Sequence, residues 1–587
     1  MPTNTGTDSA FIIQGITGGY IVQSIPQAFI EIHQRLSSLL KLPYGERSDD
    51  LASVIVRRVE HFMATSPTPA QPVWSERDVF LITYGDSLTD GDRPPLQVLK
   101  DFLDQQLEGL ISTVHILPYF PYSSDDGFSV IDYLQVNPTL GDWDDILAIS
   151  DNFRLMSDLV INHISRESLW FADFVGGNQP GRDYFIEENP DTNVSMVTRP
   201  RNSPLLVPIQ TRRGTRHVWA TFSEDQIDLN FRNPDVLISM IDIVLFYLSK
   251  GTSVVRLDAI AFLWKELNTS CVHLPETHAI VKAIRLIMEE VCPGALLLTE
   301  TNVPDPENFS YFGNGDEAHV VYQFALPPLV LHALNRGTEK HLVRWASALP
   351  DFPEGCTVLN FTASHDGIGL RSLEGVVPDS DVAELVDSMH RFGGFVSMRS
   401  MPDNGEEPYE INISLFDAMK GTRRGEDQWQ VQRFLCAQII MLGMKGIPAL
   451  YIHSLLATPN DISGLERSGR TRSINRRKWE MDELMPELDN PSSIQGLIFN
   501  TLKDILEIRQ NEPCFHPDAT QAILHIKTGI FAFNRKSTGG RSLTAIHNMT
   551  ANPIELSNSQ IINKLNLLPH NQKKPSLIEP YQSLWLV

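Results

Sequence analysis

The chain has 587 residues and a mass of 66.0 kDa, which excludes a small stapled scaffold and predicts one large domain with insertions or two to four domains. Hydrophobic residues make up 42% of the chain and charged residues 20%, a composition that excludes a disordered protein. The net charge of −24 argues against nucleic acid and membrane surfaces as partners, and an anionic substrate would need a local cationic site.

Residues 1–75 carry apolar side chains at helical spacing, and they end in the proline-containing stretch 65–72. This pattern predicts a helical N-terminal extension that is joined to the rest of the chain by a loop or linker.

From residue 76 onwards, short apolar runs alternate with helical patterns. The eight predicted strands lie at 79–84, 113–119, 154–163, 253–261, 295–302, 319–324, 357–364 and 446–452. Their nearly continuous hydrophobicity indicates parallel strands that helices cover on both faces. The sequence therefore predicts an α/β fold, a (β/α)8 or TIM barrel over 76–164 and 234–515, with a doubly wound open sheet as the alternative.

Two stretches do not fit the alternation of strands and helices. Residues 165–233 are rich in Pro, Arg, Asn and Asp and predict an inserted domain after the third strand. Residues 370–425 predict a second insertion after the seventh strand. Insertions at the carboxyl ends of barrel strands usually build the rim of an active site. The tail, 516–587, returns to short strand-like runs and predicts a small β-domain.

The cysteines and the apolar runs predict a cytoplasmic protein. The five cysteines are far apart, never form a C-x-x-C pair, and indicate reduced thiols. No Lys or Arg precedes Arg35, so the basic region of a secretory signal is missing. The longest apolar run, 236–248, is too short to span a bilayer and contains Asp242.

Three carboxylates stand at the carboxyl ends of predicted strands: Asp258, Glu300 and Asp366. A barrel places such groups in one mouth, where a pair of them can act as nucleophile and general acid on a glycosidic bond. Each residue taken alone could instead cap the helix that follows it. Three strand-terminal acids, each beside an Arg, a His or a Thr, favour the catalytic interpretation.

These motifs resemble the four short sequence regions of the α-amylase superfamily of retaining α-glucoside-active enzymes. The regions correspond, in the family's order, to residues 158–163, 256–258, 300 and 365–366. Within the superfamily, the chain is most similar to the sucrose phosphorylase branch, over about 76–515. The segments that carry this similarity are 125–132, 256–266, 322–329 and 365–369.

The resemblance implies that Asp258 is the nucleophile that forms a β-glucosyl ester and that Glu300 is the general acid. It implies that Asp366 holds two glucose hydroxyls and stabilises the oxocarbenium-like transition state. The residues implied around the glucose ring are Asp125, His163, Arg256, His365 and Arg472, the last with Arg476 as a neighbouring alternative. Arg256 can keep Asp258 ionised, because a nearby cation lowers the pKa of a carboxyl.

The resemblance implies no cofactor besides inorganic phosphate as a co-substrate, and sugars as the other small-molecule partners. Asn162 matches a residue that binds calcium in true amylases, but no metal is expected on the strength of one Asn.

A phosphorylase must bind phosphate in its acceptor subsite, so that phosphate rather than water attacks the ester. Two arginine-containing stretches are candidates for that site, 198–201 and 211–216. Arg201 matches the phosphate-binding arginine of sucrose phosphorylases; without that match, a solvated basic loop would be favoured. The expected enzyme is a hexosyltransferase that acts as a glucoside phosphorylase. The alternatives are a hydrolase or transglucosidase with the same acids and a non-catalytic family member, which would be expected to lack one of them.

The second insertion should determine the acceptor, with Tyr409 and Glu410 as candidate phosphate or acceptor contacts. Glu410 stands where sucrose phosphorylases have Gln, and Phe262 stands where they have Tyr, which argues against sucrose. Glu406, Glu407 and Glu410 would repel an anionic acceptor unless they form a solvated face. A small neutral polyol is therefore favoured.

The expected reaction is the reversible phosphorolysis of 2-O-α-D-glucosylglycerol to α-D-glucose 1-phosphate and glycerol by double displacement. Glucosylglycerate is the first alternative, because Arg399 and the spare arginines of the first insertion could face the acceptor. Sucrose or sucrose 6′-phosphate follows, and then an α-glucosidase or transglucosidase activity.

Overall fold

The structure is a computed structural model that describes residues 27–66, 73–201, 203–400, 406–556, 564–569 and 576–587. Most of the predicted linker 65–72 and residues 403–405 of the acceptor stretch lie outside the described residues. Eight parallel strands form a closed barrel. They are β1 Phe80–Thr83, β2 Thr113–Ile116, β3 Arg154–Val160, β4 Thr252–Asp258, β5 Leu296–Thr299, β6 Val320–Tyr322, β7 Thr357–Asn360 and β8 Ile447–Tyr451.

The strands follow one another around the barrel in chain order, and β1 pairs with both β2 and β8. The predicted barrel is therefore confirmed and the open-sheet alternative is wrong. Every residue of the eight strands is buried except Arg154, which begins β3. This explains why the runs are apolar along their length, since one face lines the barrel interior and the other packs against helices.

A ring of helices surrounds the barrel. Its main helices are Pro95–Gln106, Trp143–Ser150, Pro234–Ser249, Pro275–Val291, Asp305–Phe309, Leu326–Arg336, Lys340–Ala348, Gln430–Gly443 and Ile494–Gln510. Three of them begin at a proline, which suits the first helical position because the missing N–H would have no partner there. Shorter helices, Ile452–Leu455, Ile462–Ser468 and Met481–Asp489, lie between β8 and the last helix of the ring.

Two long segments follow the carboxyl ends of barrel strands. The segment after β3 contains the strands His163–Ser165, Leu206–Thr211, Gly214–Trp219 and Gln226–Asp228 and the helix Leu169–Gly176. The segment after β7 contains the strands Ile368–Gly369, Phe395–Ser400 and Glu406–Asn412 and the helix Asp379–Arg391. The tail forms a four-stranded antiparallel sheet from Thr520–Leu524, Ile530–Lys536, Ser542–Asn548 and Ser583–Leu586.

Two helices precede the barrel, Ile30–Tyr44 and Ser48–Thr65. They pack against the barrel helices Pro234–Ser249 and Pro275–Val291. The Tyr44 hydroxyl donates a hydrogen bond to the carbonyl of Phe231 at 2.8 Å. Arg58 pairs with Asp242 at 2.8 Å, which explains why the longest apolar run of the chain contains a carboxylate.

The state of the cysteines and the length of the apolar helices were also predicted from the sequence. All five cysteines are buried free thiols. None of the helices in the described part of the chain is long and apolar enough to cross a membrane.

Candidate active site

The carboxyl ends of three barrel strands bring the predicted acids together. Asp258 is the last residue of β4, Glu300 directly follows β5, and Asp366 lies in the segment after β7. Ala259, next to Asp258, has a left-handed backbone with φ of 51°, and its N–H donates a hydrogen bond to Glu300 Oε2 at 3.2 Å. Burial is the largest cause that raises the pKa values of Asp258 and Glu300, and the charge of Asp366 adds to both, so the three carboxylates lie in one site.

Arg256 supports Asp258 from inside the barrel. Its Nη1 donates a hydrogen bond to Asp258 Oδ1 at 2.8 Å and also pairs with Asp158 of β3. His115 of β2 donates from Nε2 to the second oxygen of Asp158 at 2.6 Å. Burial alone would raise the pKa of Asp158, but the charges of Arg256 and His115 outweigh it and lower the value to about 2. Asp158 is therefore a permanent anion that holds Arg256 in place.

Asp258 and Glu300 have different surroundings although they lie close together. Burial, with repulsion between the carboxylates, raises the pKa of each to about 7. Asp258 receives a charged hydrogen bond from Arg256, whereas among the described residues Glu300 accepts only the neutral N–H of Ala259. A hydrogen bond from a cation favours the ionised form more strongly than one from a neutral amide. Near neutral pH, the proton of the pair therefore lies on Glu300 and the charge on Asp258.

Arg472 joins Asp366 to the second insertion. Its Nη1 lies 2.6 Å from Asp366 Oδ1, while its Nε and Nη2 donate to the two oxygens of Glu410 at 2.9 and 2.6 Å. Burial opposes ionisation of Asp366, but the guanidinium of Arg472 dominates and holds its pKa well below the usual range. The neighbouring Arg476 donates to the main-chain carbonyl of His365 instead. The geometry thus favours Arg472 over Arg476 as the partner of Asp366.

Two neutral histidines and Asp125 lie near the acids and Arg472. The ring of His365 stacks on Phe128 with centroids 5.0 Å apart, and burial lowers its pKa to about 3. Burial also lowers the pKa of His163, whose Nε2 donates to the carbonyl of Phe128 at 2.9 Å. Gln226 donates to Asp125 Oδ2 at 3.1 Å. These contacts fix polar side chains around Phe128, beside the acids.

Tyr409 connects the acids with the first basic stretch. Burial raises its pKa, and the charges that act on it are those of Glu410, Arg201, Arg472 and Glu300. Arg201 therefore lies on the side of Glu300 and Tyr409. Within the described part of the chain, its side chain donates no hydrogen bond and forms no ion pair.

Two arginines of the second basic stretch, 211–216, are paired within the first insertion. Arg213 pairs with Glu187 at 2.6 Å and Arg216 lies 3.6 Å from the other oxygen of the same carboxylate. Among the described residues, Arg201 of the first stretch and the exposed Arg212 of the second form no ion pair, and of these two Arg201 is the one whose charge acts on Tyr409.

The glutamates of the acceptor loop are compensated by arginines. Glu410 is 2% exposed and both its oxygens bind Arg472. Glu407 is exposed and pairs with Arg399 at 3.0 Å, and Arg399 also binds Glu374 at 2.8 Å. Glu406 is exposed to solvent. These pairs offset part of the repulsion expected for an anionic acceptor, since Arg472 and Arg399 each bind two carboxylates.

A buried lysine occupies the neighbourhood of Asn162. Lys265 Nζ lies 2.6 Å from Asn162 Oδ1 and 2.6 Å from Asp228 Oδ2, and all three residues are buried. This contact ties the last strand of the first insertion to the loops that follow β3 and β4. The described residues contain no cluster of three or more His, Cys, Asp or Glu that could hold a metal ion.

Sequence analysis did not single out His115, Gln226 or Lys265. His115 carried a signal, because it is the one ionisable side chain in the apolar run of β2. Gln226 and Lys265 lie in rim segments without periodicity, so no pattern distinguished them from surface residues.

Comparison with known proteins places these residues among sugar-active enzymes. Residues 104–366 match the family model of the alpha amylase catalytic domain. The chain is 42% identical to the glucosylglycerate phosphorylase of Escherichia coli (strain K12) over 520 residues, 87% of this chain and 92% of the relative. Identity to the glucosylglycerate phosphorylase of Allomeiothermus silvanus is also 42%, over 562 residues, 95% of this chain and 99% of the relative.

More distant relatives share the same architecture. The glucosylglycerol phosphorylase of Marinobacter adhaerens is 32% identical over 450 residues, 74% of this chain and 88% of its own. The crystal structure of sucrose 6F-phosphate phosphorylase from Thermoanaerobacter thermosaccharolyticum aligns with a TM-score of 0.70 at 24% identity, covering 81% of this chain and 94% of that one. At this identity the likeness concerns the fold alone.

Proposed function

The chain belongs to the α-amylase family and is a glucoside phosphorylase, a hexosyltransferase that uses inorganic phosphate, and we propose that its glucoside is 2-O-α-D-glucosylglycerate. The observation that carries the choice of glycerate is the difference in identity, 42% to two glucosylglycerate phosphorylases against 32% to a glucosylglycerol phosphorylase. The prediction of glucosylglycerol therefore gives way to the first alternative of the sequence analysis.

The charges of the acceptor loop support this choice. The prediction of a neutral acceptor rested on three glutamates taken as uncompensated. Glu410 is paired with Arg472 and Glu407 with Arg399, which offsets part of their charge, since each arginine also binds a second carboxylate. With these charges paired, the guanidinium of Arg201 is available for the carboxylate of glycerate, which an Arg fork can bind with two hydrogen bonds.

In the first half-reaction, Asp258 attacks C1 of the glucosyl unit. The bond between C1 and O2 of glycerate breaks, and Glu300 gives its proton to the leaving oxygen. The charged hydrogen bond from Arg256 keeps Asp258 ionised for this attack. Asp366, held anionic by Arg472, faces the positive charge that develops on the sugar ring. The products of this step are glycerate and a β-glucosyl ester of Asp258.

In the second half-reaction, a phosphate oxygen attacks C1 from the side that glycerate has left. The ester bond to Asp258 breaks, the phosphate proton passes to Glu300, and α-D-glucose 1-phosphate forms with the original configuration. Arg201 holds the phosphate in this step.

Phosphate and glycerate must approach C1 from the same face, so they use one subsite in turn. A site built for a phosphate anion needs no additional cation for a carboxylate, because the two anions are never bound there together. A glycerol acceptor would leave the guanidinium of Arg201 without a charged partner.

The reverse reaction tests the acceptor. Glucose 1-phosphate is offered with glycerate, glycerol, fructose or fructose 6-phosphate, and the release of phosphate is followed together with the anomeric configuration of the product. We expect kcat/KM for glycerate to exceed that for glycerol by about tenfold or more, the effect of one charge-assisted contact. A preference for glycerol would overturn the proposed acceptor, and a β-linked product would overturn the proposed mechanism.

A further inference from the structure

Glu410 is enclosed by the strand-end motif that contains Asp366. The strand Glu406–Asn412 pairs with Ile368–Gly369, and in this register Glu410 lies opposite Gly369. A side chain at Gly367 would place its Cβ 2.4 Å from Cγ of Glu410, closer than real Cβ contacts. The glycine that follows Asp366 therefore leaves the space that the Glu410 side chain fills.

The Glu410 carboxylate has no free side toward the acceptor. It is 2% exposed, and Nε and Nη2 of Arg472 bind its two oxygens as a fork. Nη1, on the third arm of the same guanidinium, binds Asp366. Arg472 is thus fixed between a carboxylate of the second insertion and a carboxylate of the sugar subsite.

We propose that Glu410 is a positioning residue of the glucose subsite, which orients Arg472 toward Asp366, and not a contact of the phosphate or the acceptor. This inference rests on the proposed function only in placing Asp366 against the glucosyl unit. It differs from the sequence-based expectation, which put Glu410 in the acceptor site with Tyr409. It also gives a physical reason for Glu where sucrose phosphorylases have Gln. A carboxylate accepts both hydrogen bonds of the Arg fork, whereas an amide offers one acceptor and one donor.

The two possible roles of Glu410 predict losses in different kinetic parameters. If Glu410 acts through Arg472, its removal weakens the stabilisation of the glucosyl transition state and lowers the rate of every reaction that forms the ester. If Glu410 contacts the acceptor, its removal changes KM for glycerate and leaves ester formation unaffected. Hydrolysis of α-glucosyl fluoride without phosphate or glycerate separates the two, because fluoride leaves without an acceptor in the site and water completes the turnover.

The test compares Glu410→Gln with the wild type and with Glu487→Gln, a matched variant at an exposed glutamate of the helix Met481–Asp489. We expect Glu410→Gln to lower kcat/KM for hydrolysis of α-glucosyl fluoride by about tenfold or more, the effect of a lost charge-assisted contact. KM for glycerate in the reverse reaction should change less than twofold, and Glu487→Gln should match the wild type in both assays. Unchanged hydrolysis together with a raised KM for glycerate would overturn the inference.

A double variant tests whether Glu410 acts through Arg472. Glu410→Gln combined with Arg472→Gln should be no slower than Arg472→Gln alone, because the residue to be positioned is already gone. Additive losses would overturn the inference. If Glu410→Gln does not fold, as a thermal melt will show, Glu410→Asp keeps the charge and should retain part of the hydrolysis rate with an unchanged KM for glycerate. A wild-type enzyme that makes no glucose 1-phosphate from α-glucosyl fluoride and phosphate would instead count against the proposed function.

Discussion

The two halves of the candidate site differ in how their charges are satisfied. On the proposed glucose side, Asp258 pairs with Arg256, and Asp366 and Glu410 both pair with Arg472. On the proposed acceptor side, Arg201 has no hydrogen-bond or ion-pair partner among the described residues. The half that always holds the same glucosyl group is thus fixed in advance, whereas the half that receives phosphate and glycerate in turn keeps a cation free for either anion.

The largest effect should come from the nucleophile of the glucose side. Asp258→Asn removes the group that forms the ester and should lower phosphorolysis by about 10⁴-fold or more. Initial rates of glucose 1-phosphate formation measure this loss. Asp504→Asn, on the exposed face of the last barrel helix, is the matched control and should keep the wild-type rate. Substantial activity in Asp258→Asn would place the nucleophile elsewhere.

Glu300→Gln should slow the reaction of a substrate with a poor leaving group more than that of a substrate with a good one. Glycerate is a poor leaving group and needs the proton of Glu300, so phosphorolysis of glucosylglycerate should fall by about 10²–10⁴-fold. Fluoride leaves without a proton, so formation of the ester from α-glucosyl fluoride should fall much less. Stopped-flow measurement of fluoride release checks this difference. Equal losses of rate with both substrates would show that Glu300 supports the structure of the glucose side and does not donate the proton.

Arg201→Gln tests whether the acceptor side works independently of the glucose side. We expect kcat/KM for phosphate and for glycerate to fall together by about 10–100-fold, because one guanidinium serves both anions. Hydrolysis of α-glucosyl fluoride should stay within twofold of the wild type, since it needs neither anion. Arg212→Gln, exposed in the other basic stretch, is the control and should leave all three values unchanged. If kcat/KM falls for phosphate alone, phosphate and glycerate bind at different sites, and Arg201 does not serve both.

The same comparison explains what could be predicted from the sequence. The barrel strands were predictable because both of their faces are buried, and the acids at their carboxyl ends interrupt that apolar pattern. The pairing of Glu410 with Arg472 was not, because it joins a strand of the second insertion to the segment after β8, 62 positions further along the chain. Three neighbouring glutamates were therefore read as a repulsive surface, and the acceptor was predicted to be neutral. Arg213 and Arg216 were likewise offered for phosphate because nothing in the sequence indicated their pairing with Glu187.

The pH dependence of the first half-reaction should show the smallest effect and isolates the glucose side. Burial raises the pKa of Glu300 to about 7, and only its protonated form can serve the leaving oxygen. Activity should therefore fall as pH rises through about 7, by about tenfold for each further pH unit.

Phosphate itself changes charge in this range, so rates at a fixed phosphate concentration would mix the two titrations. In a double-displacement reaction, however, kcat/KM for glucosylglycerate reports the first half-reaction and does not depend on phosphate. Its alkaline limb should persist at every phosphate concentration and should be absent from kcat/KM for α-glucosyl fluoride, whose departure needs no proton. If kcat/KM falls at alkaline pH for both substrates, a group other than Glu300 is responsible for the pH dependence.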